Sequence, residues 1–215
     1  VLRDDYATGL PTSTGLAAGP SAQHALLRSI QELIERDALM ITWLHSIPAR
    51  RINVPEKYNG AVAKLRGEVW AFELTPAYSP FPVIAVAGGI QKDGSWRYSL
   101  GVACRETWQD ALEKAYLEWN QGILFAGIYC DYVDTSNLND PTKLKSFDEH
   151  AIYYSLHPEQ WHSLPMFQEL ETLHQVQLTG KSMTTPEALR AAKTALKKAK
   201  IRLYYRDLTT LDAAP

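Results

Sequence analysis

The 215-residue chain is poor in the features that mark several common classes of protein. It has only two cysteines, Cys104 and Cys130, which rules out a disulfide framework and a thiolate zinc site. No apolar run approaches the roughly 20 residues of a membrane-spanning helix, and no basic and then apolar leader opens the chain. Lysine and arginine total 22 against 24 acidic residues, so no cationic excess favours nucleic acid or anionic lipid. These scarcities predict a cytoplasmic protein with reduced cysteines and without nucleic-acid or membrane partners.

The chain nevertheless has the composition of a folded domain. Hydrophobic side chains make up 46% of it and charged side chains 21%, a balance typical of one domain with a real core. We therefore predict a single domain over residues 1–215. Because the chain starts at Val1 and stops at Pro215, directly after a strand-like run, we expect it to be a fragment of a longer domain.

Apolar periodicity predicts a long first helix over residues 22–44. Leu27, Ile30 and Ile34 recur at helical spacing, and Ser21 before them is a good N-cap residue. The same apolar face continues to the end of this range. The pattern is typical of an amphipathic helix that packs one face on a core.

Two further helices are predicted from their start signals. The sequence TWQD resembles a capping box and predicts a second helix from Thr107 toward Gly122. The sequence TPE predicts a lysine-rich helix over residues 185–200, because proline is favoured in the first turn of a helix.

Runs of β-branched and aromatic residues predict the strands of a sheet. The hairpin signal Asp93-Gly94 joins two of these runs, so we expect those two strands to be antiparallel. The predicted strands cover residues 69–74, 83–87, 96–104 and 201–207. The predicted fold class is α+β, a mainly antiparallel mixed sheet covered by long amphipathic helices.

The first two helices each carry a polar stripe away from the apolar face. The stripe on the first helix consists of His24, Arg28, Glu32 and Glu35, with Arg36 beside it. The stripe on the second helix consists of Lys114, Glu118 and Gln121.

Two interpretations of these stripes are open. In one, both are solvated faces whose local ion pairs contribute about 0.3–0.5 kcal/mol each. In the other, the helices lie side by side over the sheet, and Glu32, Glu35 and Glu118 gather around one point. Three carboxylates would need a cation there, and hard oxygen ligands of this kind suit Mg²⁺ bound with substrate phosphates. Arg36 and Lys114 would then meet the phosphate oxygens of a magnesium nucleotide.

The familiar motifs for nucleotide binding and hydrolysis are missing. The chain has no GxxxxGK[ST], no GxGxxG that opens a helix, no GxSxG and no HExxH. Cys104 and Cys130 lie in apolar runs, where a buried and inert thiol is the expected state. A magnesium nucleotide would therefore have to be held by other means than a phosphate loop.

Several segments, in order along the chain, resemble the YcaO family. The run TSTGLAAGPSAQHALLRSIQELIERDA resembles the turn and helix of that family, with its ExxER motif at Glu32, Glu35 and Arg36. FPVIAVAGG, SLGVAC and ALEKAYLEWNQ resemble its strands and second helix, whose closing ExxQ is Glu118 and Gln121. SFDEHAIYYSLHPEQ and LYYRDLTTLD are similar to its later elements.

The resemblance implies ATP- and Mg²⁺-dependent cyclodehydration in the biosynthesis of azole-containing peptides, bacteriocins among them. Such an enzyme converts Cys, Ser or Thr residues of a ribosomally made precursor peptide to azolines, and ATP makes the amide oxygen a leaving group. By this resemblance Glu32, Glu35 and Glu118 would hold magnesium. The ATP-binding residues would be Arg36, Lys114, Glu118 and Gln121.

The resemblance also leaves alternatives open. The chain has His24 where the family usually has a glutamate and Lys114 where it usually has an arginine, and lysine lacks the bidentate fork of arginine. One alternative is therefore a catalytically inactive scaffold that binds a precursor peptide or a partner protein. Another is a YcaO enzyme that forms thioamides. A partner protein that binds the leader peptide and a homodimer are further expectations.

Overall fold

The computed structural model of the protein describes residues 13–167, 173–178 and 182–208. Four strands, β1 to β4 in chain order, and six helices, α1 to α6, occur within these ranges. The strands are Arg50–Ile52, Glu68–Glu73, Val83–Lys92 and Ser95–Cys104. The helices are Ala22–Leu44, Glu56–Ala63, Trp108–Tyr132, Phe147–Leu156, Pro158–Trp161 and Thr185–Lys198.

The four strands form one antiparallel sheet in the order β1-β2-β3-β4. Asp93 and Gly94 join β3 to β4, both with positive φ, as a tight hairpin between right-twisted strands requires. A single parallel bridge joins Ile52 to His174 beside β1. The predicted α+β class, with a mainly antiparallel sheet under long helices, is confirmed.

Each face of the sheet is covered by its own helices. Alternate residues of a strand point to opposite faces, so β3 sends Val83 and Ala85 to one face and Ile84 and Val86 to the other. The first set packs with the apolar faces of α1 and α6. The second set packs with α3 and with Val62 of α2. Two hydrophobic cores therefore sandwich the sheet.

This arrangement corrects the expectation that the first two long helices lie side by side. Leu27 and Ile34 of α1 belong to one core, whereas Leu112 and Trp119 of α3 belong to the other. Both helices contact β4, which is the edge strand of the described sheet. Their polar residues can therefore meet only around that edge, and helical periodicity carries no signal for which side of a sheet a helix occupies.

Most predicted boundaries match the structure within two residues, with three exceptions, the first being that β3 continues five residues past the predicted end at residue 87, to Lys92. The first helix begins and ends where the periodicity predicts, and the Ser21 hydroxyl accepts a hydrogen bond from the His24 N–H at 3.2 Å. Helix α3 runs ten residues past Gly122, to Tyr132. The predicted strand over residues 201–207 is wrong, because these residues pair with no strand in the described part of the chain. Tyr204 and Tyr205 are exposed there.

None of the helices in the described ranges has the length and apolar character needed to cross a membrane.

Gly101 lets α3 lie directly on β4. A Cβ atom at this position would overlap with the Ala115 carbonyl oxygen and the Trp119 nitrogen, both in the backbone of α3. The indole of Trp119 also donates a hydrogen bond to the carbonyl of Gly88 at 2.9 Å, across the sheet. The register of α3 on the sheet is therefore fixed at Gly101.

We expect Gly101→Ala to lower the free energy of unfolding by about 1–3 kcal/mol, because backbone atoms cannot move aside as a flexible side chain can. The matched control is Gly60→Ala in α2, where the added Cβ would meet only the flexible carboxylate of Glu56 at 3.3 Å. That change should leave stability equal or higher, since alanine is the better helix former. Urea unfolding of the two variants measures the difference, and equal midpoints would contradict this account of Gly101.

Candidate functional site

The centre of the candidate site is the buried carboxylate of Glu35. This residue lies on α1 and is only 4% exposed. A buried charged residue is unexpected there, because most of the other buried residues of the helix are apolar. The backbone N–H of Cys104, the last residue of β4, donates a hydrogen bond to Glu35 Oε2 at 3.3 Å. The guanidinium of Arg36 lies 3.7 Å from Glu35 Oε1 and is half exposed. The Glu35 carboxylate is thus hydrogen-bonded to the end of β4.

Glu118 of α3 faces the same place from the other side of the sheet. Burial, and after it the negative charge of Glu118, raises the pKa of Glu35 from 4.5 to about 7. The positive charges of Arg36 and Arg105 and the hydrogen bond from Cys104 act in the opposite direction. Two carboxylates from separate helices therefore interact electrostatically near the end of β4, and their binding of a shared cation stays a prediction.

The remaining residues of the second stripe lie along α3 near Glu118. The ammonium group of Lys114 lies 3.0 Å from Glu118 Oε1, and both side chains are partly exposed. Gln121 is exposed one turn further along the helix. Lys114 therefore supplies the positive charge that balances Glu118 in this structure.

The structure does not bring the predicted metal ligands into one preformed cage. Within the described residues, no group of three His, Cys, Asp or Glu side chains is arranged to hold a metal ion. Glu32 is half-buried, one turn before Glu35 on α1. The two carboxylates that the electrostatics connect are Glu35 and Glu118, and a site for Mg²⁺ needs only one or two carboxylates when substrate phosphates supply other ligands.

Sequence analysis missed a polar cluster that adjoins this site. A guanidinium nitrogen of Arg28, Nη1, donates to Gln31 Oε1 at 2.5 Å and to Glu106 Oε2 at 3.1 Å. Gln31 is fully buried, and its Nε2 has no acceptor within the described residues. Gln31 precedes Glu35 by one turn, and residues four apart lie on the same face of a helix. This spacing is the sequence signal that could have identified Gln31.

Arg105 is the second residue that the sequence analysis missed. It follows the last residue of β4 directly and its charge lowers the pKa of Glu35. Its Nη1 donates to the carbonyl of Cys104 at 2.6 Å. A cation at this position can neutralise an anion bound near Glu35, so Arg105 joins Arg36 and Lys114 as a candidate phosphate-binding group.

The thiol of Cys104 is buried against the same strand end. Burial, and then the charge of Glu35, raises its pKa to about 12. The thiol therefore stays protonated near neutral pH, which excludes it as a nucleophile there. The predicted burial of Cys104 is confirmed, whereas Cys130 is only half-buried.

A protein-family model matches residues 3–214 of the chain, and the family is YcaO cyclodehydratase, described as ATP- and Mg²⁺-binding. The chain belongs to the YcaO family. No curated protein matches it.

Solved structures show the YcaO fold in this chain. A heterocyclase in complex with substrate and cofactor is 20% identical with a TM-score of 0.65, over 89% of this chain and 25% of that one. The E. coli microcin synthetase McbBCD complex with pro-MccB17 bound is 19% identical with a TM-score of 0.62, over 89% and 50%. YcaO from Methanopyrus kandleri bound with AMPPCP and Mg²⁺ is 15% identical with a TM-score of 0.61, over 87% and 48%. The chain thus spans a quarter to a half of the length of these structures.

The side chains at the end of β4 have the chemistry to bind ATP and Mg²⁺, the two ligands named in the description of the YcaO family. Burial and a second carboxylate both raise the pKa of Glu35, because they disfavour its charged form. A divalent cation bound beside it would stabilise that charged form. Arg36 lies 3.7 Å from Glu35, Lys114 lies 3.0 Å from Glu118, and the charge of Arg105 lowers the pKa of Glu35, and cations of this kind suit the oxygens of a polyphosphate. Glu35 and Glu118 are accordingly the candidate Mg²⁺ ligands.

The raised pKa of Glu35 predicts a pH-dependent stability. The folded protein holds the proton more tightly than the unfolded chain, so the stabilisation is full below pH 4.5 and is lost as the pH rises toward about 7. We expect the free energy of unfolding to fall by about 2–3 kcal/mol between pH 5 and pH 8 relative to Glu35→Gln, in which this titration is absent.

Urea unfolding without divalent cations at the two pH values measures this difference. Parallel pH dependence in wild type and Glu35→Gln would show that Glu35 ionises normally and would contradict the burial argument.

Proposed function

We propose that the protein is an ATP- and Mg²⁺-dependent cyclodehydratase that forms azolines from Cys, Ser or Thr residues of a ribosomally made precursor peptide. Membership of the YcaO family supports this role. The observation that carries it is the buried carboxyl of Glu35 at the end of β4, which interacts electrostatically with the partly exposed Glu118 of the other helix. A buried carboxylate beside a second carboxylate is unfavourable unless a proton or a cation compensates it, and a bound cation at this site would account for its presence.

Each site residue then has a role that follows from its chemistry. Glu35 and Glu118 hold the cation, and Glu32, one turn before Glu35, is proposed as a further ligand. Arg36 and Lys114 neutralise the phosphates, and Gln121 completes the nucleotide site. Lys114 keeps the charge of the family's arginine, but it offers a single ammonium group instead of two parallel donors.

Mg-ATP, when bound, supplies the phosphoryl group that converts the oxygen of the substrate amide into a leaving group. The side-chain thiol or hydroxyl of the substrate would add to the preceding carbonyl carbon and lose its proton, and the carbonyl oxygen would take the phosphoryl group and release ADP. That oxygen would then leave as phosphate while the amide nitrogen loses its proton and forms the C=N bond, so the peptide loses one water for each ring. The cations of this chain stabilise the negative charge that develops on the transferred group. Burial of Glu35 keeps water away from one side of the site.

A catalytically inactive scaffold is the second candidate, and one contact favours it. Lys114 already balances Glu118 at 3.0 Å, as it would in a site that has lost its metal. Isothermal calorimetry with Mg-AMPPCP on the whole protein separates the two, since the scaffold predicts no heat beyond dilution.

Thioamide formation is the rival within the enzyme class. Mass spectrometry of the modified precursor distinguishes it, because exchange of oxygen for sulfur increases the mass whereas ring formation removes water. A partner that binds the leader peptide and a homodimer stay predictions, as does a cytoplasmic location.

We expect Glu35→Gln and Glu118→Gln to lower phosphate release from ATP by at least about 100-fold, because each removes a charge held for the cation and keeps the shape of the side chain. Glu32→Gln should also lower phosphate release from ATP. The matched control is Glu113→Gln, an exposed glutamate on the same helix as Glu118, which should retain wild-type activity. Colorimetric detection of phosphate measures all four variants, and wild-type rates in Glu35→Gln and Glu118→Gln would refute the proposed site.

A further inference from the structure

We propose that Arg28 and Glu106 form a positioning clamp that sets the separation of Glu35 and Glu118, and thereby the affinity of the site for a magnesium nucleotide. The inference rests on the proposed function of that site. Arg28 and Glu106 are positioning residues here, since neither is placed among the groups that contact the nucleotide. Below, the term clamp means this pair together with its hydrogen bond to Gln31.

The first argument for the clamp is that Arg28 forms its ion pair with a distant residue and not with a neighbour on its own helix. Glu32 lies four residues further on the same helix, the spacing at which a local ion pair would form. Arg28 instead bonds to Glu106, 78 residues away, at 3.1 Å. The two side chains are 29% and 12% exposed, so this contact is more sheltered than a typical surface ion pair.

The position of Glu106 is the second argument. It lies between the end of β4 at Cys104 and Thr107, the N-cap of α3, whose hydroxyl accepts a hydrogen bond from the Asp110 N–H at 3.1 Å. A contact at Glu106 therefore holds the start of α3. Because α1 and α3 lie on opposite faces of the sheet, the Arg28–Glu106 ion pair joins α1 to the start of α3 around the edge of the sheet.

The contacts around β4 close into a ring. The Cys104 N–H holds Glu35 of α1 to the end of β4, and Gly101 brings the backbone of α3 against β4 beside Glu118. The clamp adds the connection from α1 to the start of α3. With all three in place, the relative position of the two carboxylates is determined. Without the clamp, α1 and the start of α3 are connected only through their separate contacts with β4 among those named here.

Gln31 makes the clamp directional. Arginine can only donate, so the amide oxygen of Gln31 must face Arg28, and its Nε2 faces away. Arg28 thus has two acceptors in fixed directions, Gln31 Oε1 on its own helix and Glu106 Oε2 across the edge. Both bonds come from the single nitrogen Nη1, whose two N–H groups lie in the guanidinium plane, whereas the ammonium group of lysine is tetrahedral, so Arg28→Lys should retain only part of the effect.

The test compares Arg28→Met with a matched variant, Lys92→Met, in the whole protein. Lys92 forms a more exposed ion pair with Asp131 at 3.5 Å, between β3 and the far end of α3. We expect Arg28→Met to weaken the binding of Mg-AMPPCP about 10–100-fold, the usual effect of removing a group that orients metal ligands. Lys92→Met should bind it like wild type. Calorimetry gives the dissociation constants, and thermal unfolding without nucleotide should show similar small shifts for both variants.

A double-mutant cycle with Glu106→Gln keeps the proposal falsifiable if Arg28→Met loses stability. If the pair acts as one clamp, the double variant binds Mg-AMPPCP no more weakly than the worse single variant. Additive losses, or wild-type affinity in folded Arg28→Met, would overturn the clamp.

Failure of the clamp is distinguishable from failure of the proposed function. If wild type binds Mg-AMPPCP, if Glu35→Gln and Glu118→Gln do not, and if Arg28→Met binds normally, only the clamp is wrong. If wild type itself gives no binding heat, the nucleotide site is wrong, and the clamp is rejected with it.

Discussion

The burial of one carboxylate, that of Glu35, is the constraint on which the functional part of this molecule depends. A carboxylate at 4% exposure beside a second carboxylate loses hydration and gains repulsion, and the single backbone hydrogen bond from Cys104 offsets only part of that cost. A site selected for stability alone would carry an apolar residue at this position of α1. The retained charge, next to positive side chains, is typical of a binding site that a cation completes.

The architecture explains how two helices on opposite faces of a sheet can serve one site. A central strand would separate α1 from α3 completely, but β4 is the edge strand of the described sheet, and side chains from both faces can reach around it. Gly101 brings α3 close enough for this, because any side chain there would push the helix away. Gly101 and the position of β4 at an edge of the sheet together set how closely α1 and α3 approach the same strand.

Local patterns predicted the elements well and their spatial relation poorly. Periodicity and capping signals located α1 to the residue, because these signals act within a few residues of one another. Glu35 and Glu118 were identified from their stripes and from the likeness to YcaO. The side of the sheet for each helix and the Arg28–Glu106 contact could not be read from the sequence, because both depend on segments nearly 80 residues apart. The strand over 201–207 failed for a related reason, since strand propensity needs a neighbouring strand to act on.

That last segment has a practical consequence for handling the protein. Residues 201–208 have the alternating, aromatic-rich pattern of a strand, the structure assigns none of them to a strand, and Tyr204 and Tyr205 are 82% and 78% exposed. Exposed segments of this composition favour intermolecular β-pairing. In concentrated solution the protein would be prone to self-association through these two tyrosines, and a lysine in place of one of them would be the natural remedy.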